Sequence, residues 1–134
     1  MAIRLINPSD LAKPPGFSHG ASGTGHLLFI SGQVGNDPDG TVSSDDLVVQ
    51  FDRALENVLR VVRAAAGKPA DIIKINLLVV DPHEYRSRSR EIGAAYRKHL
   101  GRHFPAMTLA GVNGLFDEQA KVEIEAVALL PPVS

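Results

Sequence analysis

The sequence has no cysteine and no tryptophan among its 134 residues. Without thiols there is no disulfide framework and no thiolate metal site, and a reducing compartment is mildly favoured. Aromatic residues make up only 5%, so the stacking platforms that hold single-stranded nucleic acid have few candidates. No apolar run approaches the roughly 20 residues that cross a bilayer. Met1-Ala2-Ile3-Arg4 does not lead into the basic-then-apolar pattern of a signal peptide, so none is expected. Net charge is nearly absent as well: 14 Lys and Arg stand against 15 Asp and Glu, a formal −1. A field of that size draws neither nucleic acid nor an acidic membrane surface. A glycine-rich phosphate loop and a serine elbow are both missing.

What is present is ordinary globular material, 44% hydrophobic and 22% charged. A chain of this length buries roughly two thirds of its unfolded surface, enough for a core without staples. The expectation is a soluble, cytoplasmic protein with a single domain over residues 1–134.

Residues 3–6 read as a first strand, and residues 8–25, rich in Pro, Gly and Ser, as a loop. Residues 26–31 form a short apolar strand ended by Gly32. Asn36-Asp37-Pro38-Asp39-Gly40 is a dense turn signal. Leu47, Phe51, Leu55, Val58 and Val62 recur at helical spacing, with Ser43, Ser44 or Asp45 as cap and Gly67 as stop. Residues 72–80 are apolar on both faces apart from Lys74 and Asn76, which predicts a central strand. Asp81-Pro82 opens a second helix that runs to about Leu100, where Gly101 stops it. Residues 107–112 and 121–130 are the last strands. The order β, β, α, β, α, β, β predicts an α+β fold: a mixed sheet with two helices on one face. The other face is left apolar and uncovered, which predicts oligomerisation.

The final run, Lys121-Val122-Glu123-Ile124-Glu125-Ala126-Val127-Ala128, alternates strictly. Glu123 and Glu125 share a face, about 7 Å apart at strand rise. A solvated outer face is the ordinary explanation. However, Val127 and Leu129 continue that face as apolar positions, which suggests the rim of a covered cleft. A carboxylate there can act as general base on water.

Ser31-Gly32-Gln33 follows an apolar strand; Gly32 permits close approach by a ligand, or equally a bulge. His99 and His103 are four apart, but Gly101 between them ends the helix, so no metal site is expected. His19, His26 and His83 form no cluster. Arg86, Arg88, Arg90, Arg97, Lys98 and Arg102 form the one basic concentration, which reads as a solvated helix face without interleaved aromatics. Nucleic acid is not an expected partner.

Three segments together resemble one family: Phe29-Ile30-Ser31-Gly32-Gln33-Val34, Phe104-Pro105-Ala106, and Val122 to Ala128. They are similar to the reactive-intermediate deaminases, RidA- or YjgF-like proteins, often labelled L-PSP endoribonucleases. Pro15-Gly16-Phe17-Ser18-His19-Gly20 resembles, loosely, that family's glycine-proline-tyrosine loop. The resemblance runs from about residue 14 to 130. It implies a chorismate-mutase-like fold built from ferredoxin-like βαβ units, a homotrimer with three clefts between subunits, and no cofactor. It also implies hydrolysis of 2-imino acids or their enamines to keto acids and ammonia.

By that resemblance Glu123 orders the attacking water. Met107 stands where an arginine grips the substrate carboxylate, and Phe17 where a tyrosine is usual. A thioether cannot replace a bidentate guanidinium. Arg90 falls where active members carry an asparagine and offers a cation from another direction. The implied cleft is lined by Phe17, Ser31, Gly32, Met107 and Leu109, with backbone near Gly32 and Leu109 holding the substrate. With the anion clamp missing, the substrate is expected to be less anionic than a 2-imino acid. Two other functions fit the same residues: a trimeric ligand-binding or regulatory protein without turnover, and an endoribonuclease or RNA binder.

Overall fold

Apolar periodicity divides the chain as its sequence suggests, with three departures. The computed structural model describes residues 3–132. The elements are β1 (Ile3–Ile6), β2 (Gly20–Gly23), β3 (His26–Gln33), α1 (Leu47–Ala64), β4 (Ile72–Val79), α2 (Pro82–Ser87), α3 (Ser89–Leu100), β5 (Ala106–Gly111) and β6 (Val122–Leu130). A 3-10 turn at Pro69–Asp71 leads into β4.

Four strands form one sheet in the order β3-β6-β4-β5. β6 is antiparallel to both β3 and β4, while β4 and β5 are parallel. Parallel neighbours need a long crossover, and α2 and α3 supply it. The mixed sheet with its helices on one face is the α+β architecture expected. β4 and β6 are both internal, in keeping with their apolar content.

α1 turns Leu47, Phe51, Leu55, Val58 and Val62 onto the sheet, and α3 adds Ile92, Tyr96 and Leu100. The strands meet them with Ile75, Leu77 and Val79 from β4 and Val122, Ile124, Ala126 and Ala128 from β6. The reverse face carries no helix among the described residues. There β3 leaves Leu27 and Phe29 62% and 72% exposed. That face is mixed rather than apolar, because Lys74, Asn76 and Glu125 share it.

The first departure is β2. Gly20-Ala21-Ser22-Gly23 pairs antiparallel with β1, in what the sequence reads as loop. Residues this small carry no apolar alternation to betray a strand. The second is the cap of α1. Asp46, not Ser43, Ser44 or Asp45, is the capping residue, its Oδ2 accepting from the Val49 N–H at 3.0 Å. The third is a break in the expected second helix at Arg88 (φ −107°, ψ 18°). Ser87 Oγ donates to the Glu84 carbonyl at 2.8 Å, competing with the helical ladder. The Arg88 guanidinium holds Asp46 at 3.1 Å and Glu91 at 2.7 Å. The other helix ends are as expected: Asp81 caps α2 and Gly101 ends α3 in the left-handed region, φ 60°.

Candidate functional site

The alternation of β6 turns Glu123 and Glu125 onto the uncovered face. Register puts Glu125 opposite Asn76 and Glu123 opposite Leu78. The Asn76 amide donates to Glu125 Oε1 at 3.4 Å, and Lys74 Nζ donates to Thr108 Oγ1 at 2.9 Å. Glu123 differs from its neighbour. It is half-buried, and its carboxylate has no hydrogen-bond or ion-pair partner among the described residues.

What Glu123 does touch is Gly32. A Cβ built on Gly32 would stand 2.7 Å from Glu123 Cδ and 2.9 Å from Cγ. Pairing runs from Ile30↔Ala126 to Gln33↔Ile124, so three steps along β3 match two along β6. That is a bulge, with one extra residue in the strand. The bulge reading of Ser31-Gly32-Gln33 therefore holds, and what lies close against the bare glycine backbone in this chain is the Glu123 side chain.

A second feature lies on the helix side. β5 is the sheet edge, and Met107 and Leu109 pair with Ile75 and Leu77, so they face the helices. Beyond them opens a cavity of about 630 Å³, walled by Phe17, Tyr85, Tyr96, Phe104 and Met107 among others. Phe104 stacks on Tyr96 with centroids 5.5 Å apart and planes 8° from parallel. Tyr85 meets Phe51 edge-on at 6.3 Å. The Tyr96 hydroxyl donates to the His103 carbonyl at 2.7 Å. The Tyr85 hydroxyl has no partner among the described residues, and burial pushes its pKa up to about 12. Burial raises Tyr96 too, with Tyr85 adding to the effect. Both phenols are therefore neutral at physiological pH.

The family model for Endoribonuclease L-PSP matches residues 9–130. The chain belongs to that family, the Rid or YjgF-like proteins. The 2-iminobutanoate/2-iminopropanoate deaminase of Salmonella typhimurium is 32% identical over 105 residues, which is 78% of this chain and 80% of that protein. Among solved structures, the Rid-family protein YyfB of Yersinia pestis superposes with a TM-score of 0.85 at 31% identity, covering 97% of this chain and all (100%) of that one. The YjgF gene product of Escherichia coli gives 0.68 at 29% identity, over 94% of this chain and 98% of its own.

Against this Rid frame the expected site residues fall into two groups. Ser31, Gly32 and Glu123 lie together on the uncovered face. Phe17, Met107 and Leu109 line the cavity on the other side of the sheet. A single chain does not bring the two groups into one cleft.

Arg90 belongs to neither group. It is exposed on α3 and absent from the cavity wall, which instead takes Ser89, Gly93 and Arg97 from that helix. Those three recur every fourth residue, one face of a helix with 3.6 residues per turn, and Arg90 points about 100° away from Ser89. Arg97 is the residue that sequence reasoning missed. The signal was available: it follows Tyr96, the middle of the buried Ile92–Tyr96–Leu100 stripe, and so flanks the core.

The basic run is not a free cationic stripe. Arg88 is held by Asp46 and Glu91, and Lys98 lies 3.2 Å from Asp52. His99 and His103 face separate partners. His99 sits between Asp52 (2.8 Å) and Glu56 (3.2 Å), and His103 Nε2 meets the Ile72 carbonyl at 2.6 Å.

Proposed function

We propose that this Rid-family protein hydrolyses a C=N bond, or the enamine tautomer, in clefts shared between copies of the chain, with Glu123 ordering the attacking water. The observation that carries this reading is the Glu123 carboxylate, half-buried against Gly32 with its lone pairs uncommitted among the described residues. A general base needs free lone pairs and a fixed direction. The deaminase name of the Salmonella relative supports the same chemistry.

The division of the site argues for more than one chain. The Glu123 group and the Met107 group occupy different surfaces, a sheet face and the rim of a sheet edge. Contact between two unlike patches is heterologous, and closing it makes a ring. In a ring of three, each uncovered face receives the cavity rim of the next copy, and Glu123 of one chain meets a ligand held by its neighbour.

The chemistry then needs few groups. An enamine first takes a proton on carbon to become an iminium. Water oxygen bonds to the iminium carbon while Glu123 accepts a water proton, leaving a neutral carbinolamine. That proton returns to the amino group. The C–N bond breaks, ammonia leaves, the hydroxyl proton passes to solvent and the carbonyl remains.

The test generates 2-imino acids in place with an amino-acid oxidase, in the presence of semicarbazide as a competing trap. The protein is expected to lower semicarbazone yield by accelerating hydrolysis. Glu123→Gln, which keeps size but removes the base, is expected to lose about 10²- to 10⁴-fold of that rate. No acceleration by the wild-type protein, or an unimpaired Glu123→Gln, overturns the reading. Met107 favours a second reading, in which the cavity binds a ligand without turnover. Ligands would then raise the melting temperature equally in wild type and Glu123→Gln. An endoribonuclease role has less support, since two of the six cations in the basic run are paired with carboxylates and the net charge is −1, a weak field for a phosphate track.

A further inference from the structure

The cavity has two unlike walls. The strand wall, Met107 and Leu109, offers no hydrogen-bond donor. The helix wall offers three: the guanidinium of Arg97 and the hydroxyls of Tyr85 and Ser89, unpartnered among the described residues. We propose that the cavity selects a substrate with an aryl or similarly large apolar side chain and a carboxylate, and that Arg97 is the residue that receives the carboxylate. The inference rests on the hydrolytic reading above and names its substrate class.

Volume comes first. Pockets of about 300–1,000 Å³ hold drug-sized ligands, and this one measures about 630 Å³. A three- or four-carbon imino acid would leave most of it to water. The walls are also flat and apolar: Phe17, Tyr96 and Phe104 are rings, and Ile92 and Met107 fill between them. An aryl group can stack on or abut such rings, which a short alkyl chain cannot.

Arg97 is the cation of its helix that lines the cavity; Arg90 also lacks a carboxylate partner among the described residues but lies off that wall. Arg88 and Lys98 each have a carboxylate within 3.2 Å. Arg97 has none among the described residues, and it is both exposed and in the cavity wall. Its direction has a cause. Helical side chains lean toward the N-terminus, over the residue one turn back. For Arg97 that residue is Gly93, where an added Cβ would stand only 3.2 Å from Nη1. Glycine destabilises a helix interior relative to alanine. Here its missing methyl leaves room for the guanidinium to lie across the helix at the cavity. A guanidinium so held can take a carboxylate with two parallel N–H donors. Tyr85, neutral below about pH 12, can donate to the same ligand. The expectation of a weakly anionic substrate rested on Met107 alone. With Arg97 in the same cavity, a carboxylate has a cation to meet.

Calorimetric titration with two product analogues tests this. Phenylpyruvate is expected to bind at least about tenfold tighter than pyruvate. Arg97→Ala is expected to weaken phenylpyruvate binding by about ten- to a hundredfold, and Arg97→Lys by less. Gly93→Ala, which suits a helix and displaces only the end of a flexible side chain, is expected to raise the melting temperature while weakening phenylpyruvate several-fold. Equal affinity for the two acids, or unchanged phenylpyruvate binding by Arg97→Ala, overturns the inference. Tight, Arg97-dependent phenylpyruvate binding without imine turnover upholds the inference and removes only the hydrolytic reading. Turnover of small imines that ignores Arg97→Ala does the reverse.

Discussion

On the helix side of the sheet, Val122, Ile124, Ala126 and Ala128 are sealed beneath α1. On the reverse side the residues between them, Glu123, Glu125 and Val127, share a surface with Leu27 and Phe29, 62% and 72% exposed. One strand, with strict alternation, serves both. The covered face has a single chemistry and acts as core. The uncovered face mixes a free carboxylate, paired polar groups and large bare apolar side chains. Such a mixture is poor as a solvated surface and poor as a core, but it suits an interface that also holds a reacting group.

The largest effect that separates the faces is on stability. Leu55→Ala, in the sealed layer, is expected to cost about 2–5 kcal/mol in denaturant unfolding. Phe29→Glu, on the open face, is expected to leave the helical signal intact and to convert assembled protein into single chains by light scattering. A wild type that already runs as single chains at tens of micromolar would break the comparison. The open face would then be merely exposed, and the shared cleft would have no second wall.

A subtler change keeps both faces and disturbs only the junction between β3 and β6. Gly32→Ala places a methyl where Glu123 now lies. The carboxylate must move, and displacements of about 1 Å can cost on the order of 10²-fold in rate. The expected result is a large loss of imine hydrolysis with little change in melting temperature. Equal activity in Gly32→Ala would mean that Glu123 does not need its present seat.

Much of this was legible in the residues themselves. The helical spacing of α1, the doubly apolar β4 and the alternating β6 carry periodicities strong enough to read without a structure. β2 carries none, because Gly20-Ala21-Ser22-Gly23 has no apolar side to present. The break at Arg88 was invisible for a different reason: its guanidinium reaches Asp46, 42 residues earlier, and such tertiary ties leave no local trace. Arg90 comes from the resemblance, which supplies a position and not a direction, whereas the cavity wall takes Ser89, Gly93 and Arg97 from α3. The pairing of Gly32 with Glu123 was approachable from both ends, as a glycine after a strand and an acid within one. The bulge that joins them depends on register, which neither segment states alone.

The smallest effect concerns the charged clamp that Arg88 makes on the covered side. The Val49 N–H and then Arg88 hold the Asp46 carboxyl below its ordinary 3.8, and Arg88 holds Glu91 below 4.5. Carboxyls depressed in the folded state add stability that is complete above their unfolded values and is lost as pH falls through the folded ones. Melting temperature is therefore expected to start falling below about pH 4.5 as these groups take up protons. Arg88→Met keeps the side chain's length and removes its charge, so Glu91 loses its partner and Asp46 keeps only its backbone donor. Its melting temperature should fall less steeply with acid than that of the wild type, and the gap between the two should close once both carboxyls are protonated in the folded state. A gap that persists unchanged at low pH would show that Arg88 acts at the α2–α3 break through packing of its stem rather than through charge. The α2–α3 break would then be held by apolar contact, like the layer beneath it.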